Sequence, residues 1–165
     1  MIYEPQEDSF LLQKYVRKYA KGKVLDVGTG SGVQALTALE KTPDVLAVDV
    51  SDDAVKLARS RGVNARVSNL FSKVEGKFDL IIFNPPYLPP DNYDKDISTS
   101  GGIRIMDKFL SQAKKFLNKN GKIIIVFSSL TGDVDSLLKK YDYRFTCLEK
   151  RNYFFEKLFV YLINL

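Results

Sequence analysis

The feature that most constrains the fold is a regular alternation of short apolar runs with helix-patterned segments. Strand-like runs occupy Val24 to Val27, Val45 to Val50, Val63 to Val67, Phe78 to Phe83 and Lys122 to Phe127. Helical patterns fill the gaps at Val33 to Glu40, Asp53 to Ser60 and Arg104 to Asn118, and another at Ser9 to Tyr19 precedes the first strand. Strands joined through helices imply right-handed crossovers, hence a mostly parallel sheet with helices on both faces. After a short helix near Asp133 to Lys140, "YRFTCLEKRNYFFEKLFVYLINL" offers two β-rich runs around a turn at Lys150 to Asn152. Phe159 to Ile163 reads as a strand buried on both faces, and an antiparallel hairpin closing one edge accounts for the pair. The expected fold is α/β: a Rossmann-like, mostly parallel seven-stranded sheet ending in that hairpin. The 165 residues suit one domain, spanning 1–165.

What the composition lacks excludes several chemistries. There is no histidine and one cysteine, Cys147, which removes Ser-His-Asp and Cys-His catalysis and any zinc site built on those ligands. Cys147 reads as a small strand residue, and a chain without disulfides fits a cytoplasmic setting. No apolar run is long enough for a membrane span, and "MIYEPQEDSF" is acidic where a signal peptide is basic. The net charge of +5 invites a nucleic-acid partner, but Lys and Arg are interspersed with Asp and Glu and read mostly as solvated faces, so charge alone is weak support for that partner.

Two motifs carry the chemistry. The first strand runs into "LDVGTGSGV", Leu25 to Val33, where a helix opens. Gly28, Thr29, Gly30 and Gly32 form a turn through which backbone can approach a ligand at a helix N-terminus. The sixth position of a dinucleotide fingerprint is Val33 rather than glycine, and Asp26 precedes the loop. A carboxylate there repels a pyrophosphate and suits an ammonium or a sulfonium. Asp49 ends the second strand, where ribose hydroxyls are bound in this architecture. A ribose-bearing cation of this kind is S-adenosylmethionine.

The second motif is Asn84-Pro85-Pro86-Tyr87, which stops a buried strand on the same carboxyl edge. Methyl transfer to a planar NH₂ group needs positioning and two hydrogen-bond acceptors, because that nitrogen's lone pair is delocalised. The Asn84 side-chain oxygen and the Pro85 carbonyl supply the acceptors, and Tyr87 can stack on the planar group. A carboxamide and a nucleobase amine both satisfy the clamp. A base must be extruded from its stack, which normally takes a further recognition element. The long irregular stretch Leu88 to Gly102 reads as a lid or binding loop.

"LDVGTGSG" and "NPPY" resemble motifs of the class I S-adenosylmethionine-dependent methyltransferases. "YEPQEDSFLL" (Tyr3 to Leu12), the "NPPY" and "GGIRIMDKFL" (Gly101 to Leu110) are similar to HemK-like glutamine N5-methyltransferases, which modify the Gly-Gly-Gln glutamine of release factors. The resemblance runs from Tyr3 to about Val126, and it is closer to the archaeal and eukaryal branch, which lacks an N-terminal helical domain. It implies cofactor contacts at Ser9, Asp26, Gly28, Asp49, Asn69, Leu70 and Asn84. It further implies a release-factor substrate and a small zinc-binding activator subunit. Asn69 stands where the family usually has Asp. The alternative acceptor is adenine N6 or another amino group of DNA or RNA.

Overall fold

The computed structural model describes residues 2, 4–85 and 101–165. Helix α1 (Glu7–Tyr19) precedes β1 (Val24–Val27), α2 (Val33–Leu39), β2 (Val45–Asp49), α3 (Asp52–Ser60), β3 (Ala65–Val67) and β4 (Phe78–Phe83). Then come α4 (Gly101–Ala113), a 3-10 turn at Lys114–Phe116, β5 (Leu117–Ser128), α5 (Val134–Lys140), β6 (Arg144–Asn152) and β7 (Lys157–Asn164). The strands form one sheet in the order β3-β2-β1-β4-β5-β7-β6. The first five pair in parallel, and β7 runs antiparallel to both its neighbours. The α/β class, the seven strands and the antiparallel hairpin are as the sequence predicts.

Period-two alternation sorts the strand side chains into two cores. Leu25, Val27, Ile81 and Phe83 face Met106, Phe109 and Leu110 of α4 and Leu138 of α5. Val24, Leu80, Ile82 and Ile124 face α1, α2 and α3 through Leu12, Val16, Ala35 and Val55. Both faces are thus covered, so the central strands are continuous hydrophobic runs rather than alternating ones. On the first face the rings of Phe83 and Phe109 stack 4.1 Å apart, and Phe71 extends the column to Phe116. Helix starts are capped locally: the Ser51 side chain accepts from the Ala54 N–H, and Asp133 accepts from the Ser136 N–H.

Several boundaries differ from the sequence expectation; β3, for instance, starts at Ala65 rather than Val63, and α4 at Gly101 rather than Arg104. Leu117 and Asn118, expected to end the preceding helix, instead open β5, because Leu117 pairs with Phe78 at the base of β4. Val50 lies outside β2 and is exposed, as the chain turns away to cap α3. The hairpin turn falls at Tyr153–Glu156 rather than at Lys150 to Asn152, which pair within the ladder. Phe154 and Phe155 at that turn are exposed and pack edge-on against each other. Among the described residues no helix is long and apolar enough to cross a membrane, and no His, Cys, Asp or Glu group is placed to hold a metal.

Helix α1 is tied to the antiparallel edge by Glu149, which accepts from the Tyr15 hydroxyl and pairs with Arg151 and Lys14. The Tyr15 hydroxyl first, then Arg151 and Lys14, hold the Glu149 carboxyl down at about 2. A carboxyl whose pKa is lowered on folding stabilises the fold above its ordinary value, 4.5, and that contribution fades as pH falls towards about 2. Glu149→Gln is expected to lower stability by about 1 kcal/mol at neutral pH. The difference from wild type should vanish in denaturant melts run at about pH 2.

Candidate active site

Strand register assembles the site. Val27 lies opposite Val48 on one side and Phe83 on the other, so the next residues, Gly28, Asp49 and Asn84, emerge side by side at the carboxyl edge. Neighbouring strands are about 4.8 Å apart. The chain runs outward from β1 to β3 and then returns to β4 on the other side, which makes the β1–β4 crevice the switch point where open α/β sheets bind ligands.

A cavity of about 580 Å³ opens there, within the range of small-molecule sites. Ser9, Asp26, Gly28, Thr29 and Gly30 are among the residues that line it, together with Asp49, Asn69, Leu70, Asn84 and Pro85. Gly32, also expected at the ligand, does not line it. That residue sits at φ 84 as the N-cap of α2, and a Cβ there would meet Ala58 Cβ at 3.4 Å. Its role is to let the start of α2 pack close to α3. Tyr87 and most of the Leu88 to Gly102 loop lie outside the described residues; Gly101 and Gly102 belong to α4.

Each acid has a definite setting. Asp49 accepts from the Gly30 N–H at 2.9 Å through one oxygen and from the Ser51 N–H at 2.9 Å through the other. It therefore fixes the glycine loop while remaining on the cavity wall. Asp26 is 1% exposed and accepts from the Thr29 hydroxyl at 2.6 Å. Burial pushes its carboxyl up from 3.8 to about 7, partly opposed by the Thr29 hydroxyl and the Ala35 backbone N–H. The native state thus holds more protons than the unfolded chain between these values, and stability falls as pH rises from 3.8 to about 7. Asp26→Asn is expected to flatten that decline, by an amount on the order of a few kcal/mol, in denaturant melts across the window.

Asn84, expected to serve as an acceptor clamp, has a backing that sequence reasoning missed. The Asn84 side-chain NH₂ donates to Asp8 Oδ2 at 3.2 Å and, more weakly, to Ser9 Oγ at 3.5 Å. Asp8 is 3% exposed and also accepts from the Ser9 N–H at 2.8 Å. A carboxylate in the first turn of α1, 76 residues before Asn84, reads in sequence as an ordinary helix-start acid. Ser68 was missed too. Buried at the end of β3, it donates to the Leu70 carbonyl at 2.8 Å and accepts from the Lys73 N–H at 3.0 Å, and so holds the turn that presents Asn69 and Leu70. Leu70 there has a φ of 50, a left-handed conformation that branched side chains adopt only when their surroundings enforce it.

The site fits a ribose-bearing cation. Its polar wall is rich in acceptors, and a Cβ built on Gly30 would meet nothing within 4 Å, so the loop leaves backbone open to a ligand. Residues 6–155 match the family model of the methyltransferase small domain. The chain belongs to the methyltransferase small domain family.

This methyltransferase is 36% identical over 156 residues to a Methanocaldococcus jannaschii protein provisionally named a protein N5-glutamine methyltransferase, with 84% of this chain and 78% of that one covered. To the ribosomal RNA small subunit methyltransferase C of Haemophilus influenzae it is 35% identical over 127 residues, 72% of this chain and 36% of that protein. The chain therefore spans about a third of that second relative. Among solved structures, a chain of the E. cuniculi Mtq2–Trm112 complex, responsible for methylation of the translation termination factor eRF1, matches the methyltransferase with a TM-score of 0.78. Identity is 24%, and 98% of this chain and 97% of that one are covered. The match establishes the fold, which is the class I methyltransferase fold.

Proposed function

We propose that this methyltransferase moves a methyl group from S-adenosylmethionine to the side-chain amide nitrogen of a glutamine in a protein, the Gly-Gly-Gln glutamine of a release factor. The observation that carries the reading is Asn84 in the cavity wall, with the NH₂ of its carboxamide taken by Asp8 and Ser9 and its oxygen left to accept. Two relatives of the same length class support it: the protein named for glutamine methylation and the complex that methylates a termination factor both match this chain over most of their length. The second of these works as a two-protein complex, which supports a partner protein for this chain as well; that this partner is a small zinc-binding activator is part of the proposal.

The bound cofactor supplies an electrophilic methyl on a sulfonium and leaves as S-adenosylhomocysteine. Asp26 and Asp49 suit its positive charge and ribose hydroxyls, and Asn69 and Leu70 suit the adenine. Asn84 Oδ1 and the Pro85 carbonyl accept from the acceptor's NH₂, turning its lone pair out of the amide plane towards the methyl. As the nitrogen gains charge, both bonds strengthen, which is stabilisation concentrated in the transition state. The proton then leaves to solvent.

A cation in the cavity favours ionised Asp26. Cofactor affinity is expected to be about tenfold higher near pH 8 than near pH 6, with Asp26→Asn weaker and flat; calorimetry at the two pH values checks this. The function itself is tested by offering labelled S-adenosylmethionine with a release factor, DNA and RNA in parallel, with and without a small activator protein, and mapping the label by mass spectrometry. The expected label is on the Gly-Gly-Gln glutamine. Label on nucleic acid alone would retain the clamp and overturn the substrate.

A further inference from the structure

We infer that Asp8 is the positioning residue that sets which way the Asn84 carboxamide faces. The inference rests on the clamp reading above and explains what that reading requires. An asparagine side chain is nearly symmetric in shape, and turning it over exchanges an acceptor for a donor. Turned the wrong way, Asn84 would aim two N–H groups at an acceptor's own NH₂ and the clamp would repel its substrate. Nothing within Asn84 itself chooses between the two orientations.

Asp8 supplies the choice. The residue is 3% exposed, with Oδ2 3.2 Å from Asn84 Nδ2 and Oδ1 2.8 Å from the Ser9 backbone nitrogen. A carboxylate offers only acceptor lone pairs, so the NH₂ side must face it and Oδ1 must face away. The reversed orientation would set two oxygens against each other in a buried setting, where unpaired polar groups are most costly. The Ser9 hydroxyl, 3.5 Å from the same NH₂, adds a second acceptor on that side. The placement of Asp8 is itself secured by the fold. It lies in the first turn of α1, held by Gln34, whose side-chain N–H₂ donates to the Ser9 carbonyl at 2.8 Å. The helix thereby couples a cofactor-side residue, Ser9, to the acceptor-side clamp.

The test uses the full chain with its activator. In Asp8→Ala the NH₂ of Asn84 loses its nearer acceptor and keeps only the longer contact to Ser9, so exchange of the Asn84 side-chain amide protons, followed by ¹⁵N-resolved NMR, is expected to quicken at least tenfold. Backbone amides of β4 should keep their protection. In the kinetic arm, Asp8→Ala is expected to lower kcat about thirtyfold and Asp8→Asn about tenfold, since an amide at position 8 permits either orientation. KM for the acceptor and cofactor Kd should stay within about threefold. In the Asn84→Ala background, Asp8→Ala should produce no further loss in single-turnover transfer, because it acts only through Asn84. An equal loss in both backgrounds, or unchanged exchange of the Asn84 amide protons, would overturn the inference. If wild type transfers to no protein acceptor while the exchange result stands, the substrate reading fails and the positioning role survives.

Discussion

Asn84→Ala is expected to lower kcat for methyl transfer by about 10² to 10³, the loss typical when one preorganised hydrogen-bonding group is removed from a reacting centre. Cofactor affinity should change far less, within about tenfold, since Asn84 is one polar contact among several on the cavity wall. The isosteric Asn84→Asp is a sharper test. It keeps an acceptor oxygen towards the cavity but places a second carboxylate beside Asp8, at the distance now spanned by a 3.2 Å hydrogen bond. Like charges buried so close cannot both ionise without penalty. Asn84→Asp should therefore lose activity nearly as completely as alanine and lower Tm as well, whereas alanine should leave Tm within a few degrees. Single-turnover rates with thermal melts on both variants decide the matter. Rates near wild type in the aspartate variant would mean that an acceptor at this position suffices, whatever stands behind it.

Phe109→Ala should have the largest effect on stability. Phe109 is fully buried, stacked on Phe83 at 4.1 Å and tilted against Phe71 at 5.4 Å. Truncating a buried phenylalanine costs about 3–5 kcal/mol, the sum of lost burial and the cavity left behind. For a domain of this size that corresponds to a Tm lower by on the order of 10 °C. Activity should fall at temperatures well below the new Tm, because Phe83 immediately precedes Asn84 and itself borders the cavity. Differential scanning calorimetry paired with transfer rates at low temperature separates the two effects. A Phe109→Leu variant should recover more than half of the lost stability, since it refills most of the void.

Much of this was legible in the sequence because its physics is local. The strand runs Val24 to Val27 and Phe78 to Phe83 are found at those residues, since continuous apolar runs admit little else when both sheet faces are covered. The glycine loop, Asp49 and Asn84 could be placed at one edge because parallel strands put their carboxyl ends together. What remained hidden depends on contacts between distant residues. Asp8 looked like any acid in a helix's first turn until α1 was laid beside β4. Ser68 belongs to no motif, though it organises the turn that presents Leu70. The hairpin turn was misplaced for a different reason: "YFFE" contains none of the Gly, Asn, Asp or Pro that usually announce a turn. Its two exposed rings gave no local sign that the ladder ended there.

The spatial order of the last strands bears on how the chain can be made. β7 is seventh along the sequence but sixth across the sheet, and β6 touches the sheet only through it. During synthesis, β6 therefore emerges with no partner to join, while β5 waits with Ile123 to Phe127 along an open edge. Until residues 157–164 follow, that edge is a template any extended apolar segment can pair with.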